Sequence, residues 1–334
     1  MWLPIVDDEG EQEPLSTKER QRHRARRRKY GSVEMVVPPP DFKIGVSADY
    51  VGDAFIWDLD KTYLRSEFSS LRGLIRTALE QGRDKVAYPG ATALLKTLRR
   101  RDDGSLRPIV FVSASPPQLR AKILDKFALD RVEIDGIYFK DNLRNVRPGR
   151  FKRLREQMGY KLMALLDLRS RLPNGAREVT FGDDSENDPA VYALYSEILQ
   201  KRLGGTRLIR YLEKQGVWPD EATKIAWRAR QLPRHPPVRR IFITVHRDLD
   251  PRYYRRYGLD VVPTRSAFQA AVALAVRDTI SWADLTNVCE EMLQTGSVSA
   301  RGLTRQLDEL ASRLSITSAQ HEEVRDWLRK VGVS

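Results

Sequence analysis

From residue 42 onward the chain alternates short apolar runs with longer amphipathic stretches, and before residue 42 it does neither. The segments "DAFIWDLD", "RPIVFVSAS" and "REVTFGDDSENDP" each set branched and aromatic residues immediately before small or acidic ones. That is the pattern of buried strands running into polar loops. "VEIDGIYFKDNL" predicts a further short strand or a hairpin, and "VRRIFITVHRD" a later strand. Between them, "SSLRGLIRTALEQ", "YPGATALLKTLRRR", "PPQLRAKILDKFAL" and "AVYALYSEILQKR" carry apolar residues at helical spacing, the second starting after Pro89 and Gly90. "GRFKRLREQMGYKLMALLDLRSRL" predicts a helix in two parts.

Strands alternating with helices predict an α/β fold with a mainly parallel sheet, whose functional residues gather beyond the carboxyl ends of the strands. Residues 203–237 break the alternation with helical, basic, proline-bearing sequence and are expected to form an insertion. From about residue 264 the chain is polar and helical without an obvious site. Residues 1–41 are acidic, then basic, then closed by "PPP", and are expected to form a disordered tail.

Composition sharpens this picture. At 334 residues the chain exceeds one minimal domain, and an apolar fraction of 41% suits a globular core with some polar sequence attached. The single cysteine, Cys289, excludes an intrachain disulfide or a cysteine metal cluster and fits a reducing cytoplasm. The first residues, "MWLPIVDDEGEQEPL", are acidic where a signal peptide is basic and then apolar. The longest apolar-rich stretch, "AFQAAVALAV", is about half the length that spans a bilayer. The expectation is a soluble, cytoplasmic protein whose membrane contact is at most peripheral.

The net charge is +13, and residues 18–29, "KERQRHRARRRK", carry eight Lys or Arg against one Glu. Such an arm attracts nucleic acid or an anionic membrane surface, or is simply a solvated extension. It lacks interleaved aromatics, so a specific nucleic-acid site is poorly supported.

The polar residues that matter fall at the predicted strand ends. One end delivers Asp58 and Asp60, a second Ser113 and Ser115, and a third Gly182, Asp183, Asp184 and Asp188. Several carboxylates in one crevice repel each other, and a hard cation relieves that repulsion. Mg²⁺ takes one or two carboxylates, waters and substrate phosphate oxygens. Alone, "DLDKT" is a common chance pattern, and "GDDSEND" also fits an acidic loop or a loose calcium site.

Taken in order, "DLDKT" at 58–62, "FVSAS" at 111–115, a helical lysine and "GDDSEND" at 182–188 resemble the haloacid-dehalogenase (HAD) superfamily of phosphohydrolases. More narrowly, "YPGATALLKTLR", "FVSASPPQL" and "FGDDSENDPAVY" are similar to the catalytic domain of the actin-patch type of Mg²⁺-dependent phosphatidate phosphatase, found in bacteria and fungi. The resemblance covers roughly residues 50–275. It implies a HAD-like Rossmannoid three-layer sandwich at 42–275, with the helical insertion at 203–237 and a helical C-terminal extension at 276–334.

By position in those motifs, the resemblance implies that Asp58 is the nucleophile that takes the phosphoryl group as an aspartyl phosphate. Asp60 is implied as the acid and base, its backbone carbonyl reaching the metal. Both carboxylates can face one crevice because alternate strand residues share a side. Ser113 is implied to hold a phosphate oxygen, and Lys161 to balance the charge of nucleophile and phosphate, with Lys152 as the alternative lysine. The metal set the resemblance implies is Asp58, Asp60, Asp183 and Asp188, the last directly or through a water. Ser115 is either a phosphate ligand or a backbone partner. Asp184 stands where the narrower family has serine, which argues against a metal role there. His246 and Trp57 are expected to be structural. Pro117, the insertion and the long helical tail depart from the family pattern.

The intervals of roughly fifty residues from Asp58 to Ser113 and from Ser113 to Lys161 are expected to hold core elements and no large cap. In this superfamily a capless, open site suits a phosphate carried on something large. The leading expectation is a phosphomonoesterase acting on phosphatidate or a related lipid phosphate at an anionic membrane surface. A phosphoprotein or polynucleotide-end phosphatase, with nucleic acid met through 18–29, and a non-catalytic basic scaffold remain alternatives.

Overall fold

The strand β1 (Val51–Trp57) alternates its side chains between two cores, Ala54 and Ile56 into one and Phe55 and Trp57 into the other. Burial on both faces is what a central parallel strand requires. The computed structural model to which it belongs describes residues 42, 44–65, 87–101, 103–140, 150–258, 260–313 and 317–330, without the side chains of 150–156, 251 and 313. The tail 1–41 with its basic arm, and the helix expected from "SSLRGLIRTALEQ", lie outside the described residues.

Beside β1 stand β2 (Ile109–Ser113), β3 (Gly136–Phe139), β4 (Gly175–Asp183), β5 (Arg240–Thr244) and β6 (Val261–Thr264). All pair in parallel in the order β3-β2-β1-β4-β5-β6, with Trp57 level with Phe111 on one side and Phe181 on the other. The strand expected from "VEIDGIYF" is thus the parallel edge strand β3. The edge strand β6 carries only four residues with a proline among them, too weak a pattern to be read from the sequence.

From β1 the chain winds outward through β2 to β3; from β4 it winds outward the other way through β5 to β6. The winding reverses between β1 and β4, so their carboxyl ends flank the open crevice of the sheet.

Helices α1 (Ala91–Arg99), α2 (Arg120–Asp130), α3 (Arg150–Arg171), α4 (Asp188–Leu199), α5 (Gly205–Lys214), α6 (Pro219–Gln231), α7 (Ala267–Ala275), α8 (Trp282–Gln294), α9 (Ala300–Arg313) and α10 (Ser318–Lys330) divide between the two faces. Leu94, Phe127, Phe268, Val288, Leu307 and Leu328, one from each of α1, α2 and α7–α10, join Phe55 and Trp57 in one core. Leu165, Leu194, Leu208 and Ile225, from α3–α6, join Ala54 and Ile56 in the other. The C-terminal helices therefore pack on the sheet-facing core.

The helix expected in two parts, "GRFKRLREQMGYKLMALLDLRSRL", is one 22-residue helix, α3. Gly159 inside it costs about 1 kcal/mol relative to alanine. The buried neighbours Met158, Tyr160 and Leu162 offset that cost by packing into the core. At Gly90, φ is 77°, and a β-carbon there would meet the Met292 side chain at 2.9 Å; glycine lets α1 begin against α8. Among the described residues, no helix is long and apolar enough to cross a membrane.

Candidate active site at the carboxyl ends of β1 and β4

Asp58 follows β1 directly, and its backbone N–H donates to the Phe181 carbonyl at 2.8 Å, extending the ladder to β4 by one bond. This holds the Asp58 carboxylate at the switch point, where its side chain is buried. Lys161, from the middle of α3, donates to Asp58 Oδ1 at 3.0 Å, to Glu186 Oε2 at 2.9 Å and, at very short range, to Asp188 Oδ1. The helix that crosses from β3 to β4 must pass over the sheet, and that path carries Lys161 to this crevice. Lys152 precedes it on α3 and lies outside the described side chains.

The loop after β4 supplies the remaining acids. Asp183 Oδ1 accepts the backbone N–H groups of Ser185 at 2.6 Å and Glu186 at 3.3 Å. Asp188 opens α4 with Pro189 behind it, where a helix N-terminus favours an anion, and its Oδ2 accepts the Asp183 N–H at 3.3 Å. Gly182 makes this approach possible, since a β-carbon there would collide with the Asp188 carboxylate and the Tyr192 ring.

One carboxylate oxygen from each of Asp58, Asp183 and Asp188 lies within 4.8 Å of the others, and all three residues are buried. Asp183 Oδ2 is buried without a hydrogen-bond partner. An orphaned anionic oxygen in a dry site is costly unless a cation faces it. Four carboxylates converge here, counting Glu186, around the ammonium of Lys161. The donors are all hard oxygens, so the residues present fit a hard divalent cation.

The titration of these groups follows from their burial. Burial pushes the Asp58 carboxyl well up, the Lys161 ammonium partly opposing it. Asp183 is pushed up to about 6 and Asp188 to about 7, burial being the largest cause in each. Burial acts the same way on Glu186, but Lys161 and the hydrogen bond from Gln157 together hold it below its ordinary value. Lys161 is held well above its ordinary value because Asp188, Asp58 and Glu186 outweigh its own burial.

Asp60 does not join the three clustered acids. Its Oδ2 accepts the Ser115 hydroxyl at 2.7 Å and lies 3.5 Å from the Ser113 hydroxyl. Ser113 in turn accepts the Ser115 N–H at 3.0 Å, so the end of β2 folds over Asp60. Ser115 therefore satisfies a carboxylate as well as forming part of the turn.

Asp184 points away from the acids. It accepts the N–H groups of His246 at 2.8 Å and Arg247 at 3.1 Å and the Tyr254 hydroxyl at 2.5 Å, fastening the loop after β5 to the end of β4. His246 Nε2 lies 2.8 Å from the Lys61 carbonyl, which can only accept, so the imidazole carries its proton there. Lys61 has a φ of 60°, and this bond holds the reversal that follows Asp60. Trp57 is core, its ring stacked 4.1 Å from Phe181.

Two participants were not singled out from the sequence. Glu186 lies inside "GDDSEND", between two acids that were assigned, but spacing gave no sign that it would turn to Lys161. Thr62, four residues after Asp58, places its hydroxyl 3.5 Å from Asp58 Oδ2.

Residues 54–206 match the family described as phosphatidate phosphatase APP1, catalytic domain. The match runs from within β1 to the start of α5 and contains every acid of this site. Neither the curated proteins nor the solved structures compared with the chain yield a match.

Proposed function

We propose, on the premise that residues 54–206 are a catalytic domain of the phosphatidate phosphatase APP1 family, that this chain is a HAD-type phosphomonoesterase acting on phosphatidate or a related lipid phosphate. The observation that carries the reading is the buried Asp58 carboxylate, held by Lys161 and grouped with Asp183 and Asp188.

In this reading Asp58 Oδ attacks phosphorus, and the bond from phosphorus to the alcohol oxygen breaks with its electron pair on that oxygen. Asp60 gives the departing oxygen its proton. Asp60 then takes a proton from a water, which attacks the phosphorus of the aspartyl phosphate, releasing inorganic phosphate and restoring Asp58. The contacts from Ser115 and Ser113 orient the Asp60 carboxylate for both transfers. In the presence of substrate Ser113 turns its hydroxyl to a phosphate oxygen, and Lys161 balances the charge on Asp58 and the phosphoryl group. Asp58, Asp183 and Asp188, with the Asp60 carbonyl, would hold Mg²⁺, which supplies Lewis acidity and a template for the phosphoryl oxygens. The remaining residues work by positioning and charge around buried side chains.

Phosphate release from phosphatidate vesicles, from phosphopeptides and from 5′- or 3′-phosphorylated oligonucleotides, each with Mg²⁺, tests the reading. Wild type releases phosphate from the vesicles, and Asp58→Asn loses at least a hundredfold. Equal rates for wild type and Asp58→Asn refute the nucleophile, and release from oligonucleotides alone refutes the lipid. Release from no phosphate at all favours a scaffold.

A further inference from the structure

A cavity of about 280 Å³ lies beside the site, on the face of the sheet away from Lys161. Its volume is roughly that of nine waters. The floor is apolar: Trp57, Leu94 and Phe181 from the catalytic domain, with Ala270 and Met292 from α7 and α8. More than half of the lining residues lie beyond the matched segment 54–206, from β5, β6, the C-terminal helices and the connections between them. Packing of those helices on the sheet builds the cavity, which the matched domain alone could not enclose.

Two residues join the cavity to the chemistry. Thr62 lines it and also places its hydroxyl by Asp58. Thr244 lines it and pairs in register with Asp183. The cavity thus borders the residues beside two of the three clustered acids. Thr62 is therefore the residue at which the alcohol portion of a substrate with its phosphorus at Asp58 would meet the cavity.

The lining indicates which chemistry belongs there. Arg265, on the wall, is already paired with Glu309 at 2.7 Å, and Arg65 rests its guanidinium over the Tyr88 ring. A second anion would therefore meet an occupied arginine above an apolar floor. The remaining walls carry the hydroxyls of Thr62, Thr244, Thr264, Ser266 and Ser297, donors suited to a neutral ester oxygen. An apolar chain with an ester at its head matches the combination of apolar floor and neutral polar walls.

We infer that this cavity receives the acyl end of the substrate's alcohol, so that the C-terminal helices set chain-length selectivity. The inference rests on the phosphatase reading and goes beyond it, assigning the apolar subsite to residues outside the matched domain.

The experiment is a series of water-soluble substrates below their micelle concentrations: glycerol 3-phosphate and its 1-butanoyl, 1-hexanoyl and 1-octanoyl esters, with Mg²⁺. The expected kcat/KM rises about fourfold per added methylene until the cavity is full. Ala270→Phe, on α7, and Val298→Trp, in the connection between α8 and α9, fill the cavity from two separate segments. Each is expected to flatten the series while leaving glycerol 3-phosphate within about twofold of wild type. Circular dichroism melting identifies a variant that fails to fold, and the other then decides. An unchanged slope in a folded variant, or a flat series in wild type, overturns the inference while Asp58-dependent turnover keeps the phosphatase reading intact. If no member is hydrolysed, that reading fails separately. Calorimetry with methyl and octyl phosphonate then reads the cavity directly: tighter octyl binding that Ala270→Phe removes supports it, and equal affinities refute it.

Discussion

The ammonium of Lys161 lies 3.0 Å from Asp58 Oδ1, with both side chains almost sealed from solvent. Removing one partner of such a pair leaves an uncompensated charge where water cannot reach it. Lys161 also faces Asp188 and Glu186, so its loss would leave three acids without their cation.

Lys161→Met is therefore expected to destabilise the chain by about 3–5 kcal/mol near pH 8 without added metal. The loss should shrink near pH 5, where the acids with raised pKa values are protonated. Urea unfolding at the two pH values measures this. An equal loss at both would show that the methionine disturbs packing and not charge.

The raised acids fix the direction of the pH dependence. Asp183 at about 6 and Asp188 at about 7 stand above the ordinary value of 3.8, so the folded chain binds more protons than the unfolded one. Stability from these groups is fully present below about pH 4 and is lost as pH rises through about 7. In chelator, the melting temperature is expected to fall between pH 5 and pH 8 on their account. Added Mg²⁺ should restore more at pH 8 than at pH 5, because it must displace bound protons at the lower pH. A magnesium increment that is larger at pH 5 would contradict the assignment of Asp183 and Asp188 as its ligands.

Asp184 and Tyr254 make a contrasting pair. Burial and the bond to Asp184 both push the tyrosine hydroxyl up, so it stays protonated and donates. Tyr254→Phe removes one of three donors to the Asp184 carboxylate, with an expected cost of about 1.5–3 kcal/mol. Denaturation midpoints should drop while Asp58-dependent phosphate release persists. Abolished release with unchanged stability would place this pair in the chemistry instead of the scaffold.

Much of the molecule was legible in the order of its residues. "AFIW", "IVFV" and "EVTF" are apolar enough to be buried only as inner strands, and the polar residues that follow them had to emerge at the strand ends. Asp58, Ser113, Asp183 and Asp188 were therefore placed at one edge by local pattern alone, while the lysine was left between Lys161, which the resemblance favoured, and Lys152. Less legible were α3, where the apolar run on either side of Gly159 outweighs the glycine, and the short edge strand β6, whose pairing is decided by its neighbour β5.

Side-chain direction needed the folded chain. Asp183 and Asp184 are adjacent and chemically alike, yet one turns to the buried acids and the other to Tyr254, because successive residues leaving a strand point to opposite sides. Glu186 and Thr62 likewise acquire their roles only when α3 and β1 bring Lys161 and Asp58 beside them. The sequence by itself determined which groups reach the carboxyl edge of the sheet, since hydrophobic periodicity fixes strands and their ends. Tertiary structure decided which of those groups touch and where the C-terminal helices enclose a cavity, since both depend on packing between segments far apart in the chain.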